Sequence, residues 1–127
     1  MSGMWTVDLG VIEAWLMKLD DDTYDQVIAA IELLQDHGPQ LGRPIVDTVK
    51  GSAYKNMKEL RPGSSGASEL RVLFAFDPQR QAILLVAGDK AGNWKNWYRE
   101  SIPIADARFT EHLAQLKKTE NDETKRK

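Results

Sequence analysis

The stretch Leu70-Arg71-Val72-Leu73-Phe74-Ala75-Phe76, followed by Asp77-Pro78-Gln79-Arg80 and then Ala82-Ile83-Leu84-Leu85-Val86-Ala87, decides the fold. In the first run Leu70, Val72, Phe74 and Phe76 alternate with Arg71, Leu73 and Ala75, the two-residue period of a strand. Asp77 to Arg80 turn the chain. The second run is apolar throughout, as a central strand covered on both faces would be.

Working upstream, Asn56 to Arg61 reads as a strand, with Met57 and Glu59 facing one way and Lys58 and Leu60 the other. Ile45-Val46 and Thr48-Val49 are β-branched and predict an edge strand that Gly51-Ser52 ends. Pro62-Gly63-Ser64-Ser65-Gly66 is a loop that resembles a phosphate loop only superficially. Trp5-Thr6-Val7 predicts a short first strand. Between them, Val11, Ile12, Trp15, Leu16 and Leu19 recur at helical spacing. A second helix follows, capped by Thr23 with Gln26 at the third position, striped by Tyr24, Val27, Ile28, Ile31 and Leu34, and closed by Gly38-Pro39. The short link between the two predicts an antiparallel helical hairpin.

Downstream, Gly88 to Asn93 is a loop, and Trp94, Trp97 and Tyr98 fit one or two helical turns. Pro103 predicts the start of a separate last helix carrying Ile104, Ala107, Phe109, Leu113 and Leu116. Helices and strands segregate along the chain. That predicts an α+β domain over residues 1–116, with helices on one face of a mostly antiparallel sheet and the other face left for a ligand or partner. Residues 117–127 are charged and are expected to form a disordered tail.

The 127 residues contain no cysteine and two histidines, His37 and His112, so disulfides, thiolate nucleophiles and cysteine metal sites are excluded. No run of 18 apolar residues predicts a membrane span, and no cofactor-binding or phosphate-loop motif occurs. The net charge of −2 hides an asymmetry. Residues 1–40 hold one cation and eight acids, residues 41–99 ten cations and five acids, and residues 100–127 six of each. A basic middle suits an anionic partner such as nucleic acid. The acidic first third is expected to face away from such a partner.

Lys58, Arg61 and Arg71 fall on or beside strands, and Lys90 lies just past the apolar one. Arg71 interrupts an apolar strand. It predicts either a phosphate clamp, since a guanidinium matches phosphate with two parallel hydrogen bonds, or a cross-strand ion pair with Glu59 or Glu69. Lys58 and Arg61, three residues apart, face opposite sides of a regular strand. Lys55, Asn56, Lys95 and Tyr98 are further candidates for contact with RNA, although turn capping also explains Asn56 and Asp89, and core packing also explains Trp94, Trp97 and Tyr98. Crowded cations would lower the pKa of a lysine or tyrosine and prepare it for proton transfer.

The blocks Gly-Pro-Gln-Leu-Gly-Arg-Pro at 38–44, Asn56 to Arg61, Glu69 to Ala75 and Leu85 to Lys90 come in a familiar order. Over residues 4–116 the chain resembles the RelE/ParE superfamily of toxins from type II toxin–antitoxin modules, and within it the HigB-like, phage-derived branch. The resemblance implies a RelE-like fold, a helical hairpin on a curved antiparallel sheet with a C-terminal helix. It implies a cytoplasmic, metal-independent endoribonuclease that cuts mRNA on the ribosome through the substrate's own 2′-hydroxyl. It also implies a helix-turn-helix antitoxin of the HigA type, with operator DNA bound only through the toxin–antitoxin complex. Carried over by position, Lys58, Arg61, Arg71 and Lys90 are the implied catalytic residues and Tyr98 roughly fits the family's C-terminal tyrosine; Lys55, Asn56, Lys95 and Tyr98 are the expected RNA contacts. The spacing around Tyr98 departs from the RelE pattern, and the C-terminal histidines of some HigB toxins are absent. Two other readings remain open at the level of sequence: a ParE-like inhibitor that binds DNA gyrase without catalysis, and an inactive toxin acting as co-repressor.

Overall fold

The structure, a computed structural model, describes residues 4–63 and 68–125. The sequence-predicted loop at 62–66 falls mostly outside the described residues. Five strands form one sheet: β1 (Thr6–Asp8), β2 (Val46–Thr48), β3 (Lys58–Leu60), β4 (Leu70–Phe76) and β5 (Gln81–Asp89). Their spatial order is β1-β5-β4-β3-β2. β5 therefore sits beside the central strand β4, one place from the edge. All neighbours are antiparallel except β1, which runs parallel to β5 with Thr6 opposite Gln81. β4 occupies the residues its alternation predicts.

A bulge interrupts the β4–β5 ladder. Leu73 pairs with Val86 but Phe74 pairs with Leu84, which leaves Leu85 as the extra residue. The inserted residue shifts the far end of β5 by one position, so Gly88 rather than Ala87 lies opposite Arg71.

Helices cover both faces. On the first face lie α1 (Glu13–Leu16) and α2 (Asp21–His37). The predicted hairpin is lopsided, because α1 is a single turn. Val27, Ala30, Ile31 and Leu34 of α2 recur every three or four residues and join Leu60, Leu70, Val72, Phe74 and Leu84 in one core. The cap of α2 is Asp20, whose Oδ1 accepts from the Thr23 amide at 2.8 Å, rather than Thr23 itself. A carboxylate three residues earlier does the same job and adds charge favourable to the helix dipole. Gly38 ends the helix at φ 55°. A Cβ there would lie 2.3 Å from Trp5 Cδ1.

The second face is not free, contrary to the sequence expectation. Met57, Leu73, Ala75, Ile83 and Leu85 are all buried there beneath Ala105 and Phe109 of α3 (Trp94–Lys125). Four of these side chains, Met57, Leu73, Ile83 and Leu85, are large, and an apolar sheet face of that size needs a cover, each of the four contributing about 1.5–3 kcal/mol when buried. α3 is also continuous: Pro103 stands inside it rather than opening a separate helix. α3 runs past Leu116, where the charged tail was expected, to Lys125, and residues 117–122 of it are exposed. Among the described residues no helix is long and apolar enough to cross a membrane.

Candidate active site

Strand parity puts Glu59 on the α3 face, with Lys58 and Leu60 on the α2 face. Glu59 is only 4% exposed. A charge so buried demands partners. The Tyr98 hydroxyl donates to Oε2 at 2.7 Å and reaches Oε1 at 3.0 Å. Arg61 Nη2 donates to Oε1 at 3.2 Å, and Arg71 Nε stands 3.8 Å from the same oxygen. Arg61 also pairs with Asp47 at 3.2 Å, and Asp47 with Arg43 at 3.2 Å. Arg71 donates from Nη1 to the Leu70 carbonyl at 2.8 Å, while its buried Nε has no hydrogen-bond partner. Lys90 Nζ lies 5.8 Å from the centroid of the Tyr98 ring.

Two local devices aim these groups. Asp89 Oδ1 accepts from the Glu69 and Ala91 amides at 2.9 Å each, which fixes the exit from β5 and so places Lys90. Gly88 lets Trp97 lie on the sheet, because a Cβ there would be 2.4 Å from the indole Nε1. Tyr98, the next residue, then reaches Glu59. Burial raises the Tyr98 pKa to about 12 from its usual 10, helped by the hydrogen bond and charge of Glu59 and partly opposed by Arg71. The sequence expectation that neighbouring cations would lower such a group is therefore reversed at Tyr98. The phenol sits against a carboxylate, so it holds its proton and donates it.

Of the sequence-predicted residues, Arg61, Arg71, Lys90 and Tyr98 come together. Lys58 does not join them: it points to the opposite face, where it lines a cavity of about 230 Å³ with Arg43 and Thr48. Lys55 and Asn56 are exposed in the turn before β3. Lys95 is exposed in the first turn of α3, its Nζ 5.5 Å from the Trp94 ring centroid. For Arg71 the structure contains the expected cross-strand contact to Glu59, at long range.

Glu59 is the central residue that sequence reasoning missed; it was weighed only as a partner for Arg71. An acid in a strand between Met57 and Leu60, amid three cations, was the available signal. Glu59 and Tyr98 open onto a cavity of about 260 Å³ whose other walls include Trp94, Val49, Ile102 and Lys50. Among the described residues no group of three or more His, Asp or Glu side chains could hold a metal ion. The arrangement offers a proton acceptor and a proton donor that line one cavity, with Arg61, Arg71 and Lys90 gathered around that pair. That is the equipment for moving protons beside a phosphate.

Residues 14–110 match the family described as "Phage derived protein Gp49-like". Two relatives come from Mycobacterium tuberculosis (strain ATCC 25618 / H37Rv). "Putative toxin HigB2" is 61% identical over 123 residues, 97% of this chain and 61% of that protein. "Putative toxin HigB3" is 53% identical over 111 residues, 87% of this chain and 95% of that protein. The chain thus spans about three-fifths of the length of the first relative and nearly all of the second. Fold, match and identity agree: this chain belongs to the Gp49-like family of phage-derived proteins, the HigB-type branch of the RelE/ParE superfamily.

Proposed function

We propose that the protein is the toxin of a type II toxin–antitoxin module, and that it cuts mRNA on the ribosome without a metal. The observation that carries this reading is the convergence of Arg61, Arg71 and Lys90 on the Glu59–Tyr98 pair beside an open cavity. The toxin names of two close relatives support the same reading.

In this reaction the substrate's 2′-oxygen attacks the adjacent phosphorus and the bond to the 5′-oxygen breaks. One proton leaves the 2′-hydroxyl and one reaches the departing 5′-oxygen. Glu59 is the acceptor of the first. Tyr98, whose proton is held tightly at neutral pH, is the donor of the second. Arg61 and Arg71 balance the charge that builds on the phosphoryl oxygens, and Lys90 adds positive potential beside the phenol. Lys58 lies across the sheet and belongs to substrate positioning rather than to the chemical step. A helix-turn-helix antitoxin neutralises the protein in the cytoplasm, and the complex, not the toxin alone, holds operator DNA.

The test is induced expression with mapping of RNA 5′ ends, comparing wild type with Arg71→Ala. The expected result is new ends inside open reading frames, reduced on the order of 100-fold or more in the variant. Growth arrest with intact mRNA and DNA damage moves the assignment to gyrase inhibition. Neither arrest nor cleavage leaves a co-repressor.

A further inference from the structure

The cavity beside Glu59 and Tyr98 has a neighbour. A second cavity, of about 370 Å³, is lined by Gly51, Lys95, Tyr98, Arg99, Ile102 and Asp106, among others. Tyr98 and Ile102, one turn apart on α3, wall both cavities. Together they make one groove between the N-terminal half of α3 and the segment that follows β2.

Three cations and two acids border this groove. Lys50 borders the first cavity, and Lys95 and Arg99 the second. Among the described residues none of the three has a carboxylate within ion-pair distance. The two acids in the groove are already engaged. Glu59 is held by Tyr98 and Arg61, and Asp106 accepts from Ser52 Oγ and from the Ala53 amide at 2.9 Å. An aromatic wall completes the groove. Trp97 and Tyr98 pack against the core, but Trp94 is 54% exposed and lines the first cavity. Unpaired cations that track a groove, with a flat aromatic face beside them, are the two components of a single-stranded nucleic-acid site.

We infer that this groove is a track for single-stranded RNA: Trp94 stacks a base next to the reacting phosphate, and Lys95 and Arg99 take the backbone phosphate that follows. The inference rests on the ribonuclease reading and extends it to residues that take no part in the chemistry.

The test is the binding of a fluorescent 2′-O-methyl oligoribonucleotide, which lacks the attacking hydroxyl, to the purified protein over a range of salt. Trp94→Ala weakens binding by about 5- to 150-fold. The pair Lys95→Ala with Arg99→Ala lowers the log–log salt slope by about 1.4, or about 0.7 per cation. Lys117→Ala, exposed far along α3, binds as wild type does. If the protein cleaves RNA and all these variants bind like wild type, the track is refuted and the ribonuclease survives. If wild type does not bind the oligonucleotide but cuts mRNA in the induced-expression experiment, the track is refuted and the ribonuclease survives; if it does neither, both fall. If the variants keep RNA affinity but lose affinity for the co-expressed antitoxin, the groove belongs to a protein partner and the inference is overturned.

Discussion

A carboxylate as deeply buried as Glu59 persists because Tyr98, Arg61 and Arg71 surround it. Removing one donor leaves a charge short of partners, which costs about 1–3 kcal/mol, more for charged groups. Tyr98 is the informative one to remove, because its pKa is displaced upward to about 12 by burial and by Glu59. A phenol that binds its proton more tightly when folded stabilises the fold fully below pH 10. That contribution disappears as the pH rises through 12, because the unfolded chain releases the proton first. Tyr98→Phe is therefore expected to abolish part of the alkaline loss of stability between pH 10 and 12. Chemical denaturation of both proteins at pH 8, 10 and 12 checks it, and parallel curves for the two would refute the assignment. Arg71 was legible in the sequence because it broke an apolar alternation. The pairing of Glu59 with Tyr98 was not, since it depends on where a helix 39 residues away settles.

At the scale of elements, the decisive contact is α3 against β5. The bulge at Leu85 brings Gly88 opposite Arg71, and Trp97 fills the space that the missing side chain leaves. Gly88→Ala would push a methyl group into a rigid indole. A destabilisation of about 1–3 kcal/mol is expected, read as a lower denaturant midpoint, with loss of the Tyr98–Glu59 contact seen as a Tyr98 that titrates nearer its ordinary value. β4 was readable to the residue because both of its faces alternate cleanly. α3 was not, because Pro103 carries the strongest helix-start signal in the region and nothing local reveals that the helix continues through it. The covered second face was half legible. Leu73, Ala75 and Met57 announced an apolar surface, but the sequence did not say that the chain's own last helix would lie on it.

At the scale of the whole molecule, α3 is fastened at two points. Near its start Tyr98 holds Glu59; farther on, His112 Nε2 lies 2.7 Å from Asp77 Oδ2, at the turn between β4 and β5. The Asp77 side chain is fully buried and also accepts from the Gln79 and Gln81 amides. His112→Ala is expected to cost about 1–2 kcal/mol and to speed amide exchange in α3 beyond Phe109 while leaving α2 unchanged. Exchange that rises equally in both helices would refute a local clasp. The charge asymmetry read along the chain becomes an asymmetry in space, with the acids of α2 covering one face and the groove cations bordering the other. The order of the pieces along the chain has a last consequence. Glu59, Arg61, Arg71 and Lys90 are all synthesised before Tyr98, and chains begin to fold from the end that emerges first. A nascent chain that has released only its strands carries a carboxylate and cations with no phenol beside them. Glu59 and Tyr98 meet only when α3 docks, so on the proposed ribonuclease reading a newly made molecule is inert during the passage of its strands from the ribosome and becomes competent at a single late step.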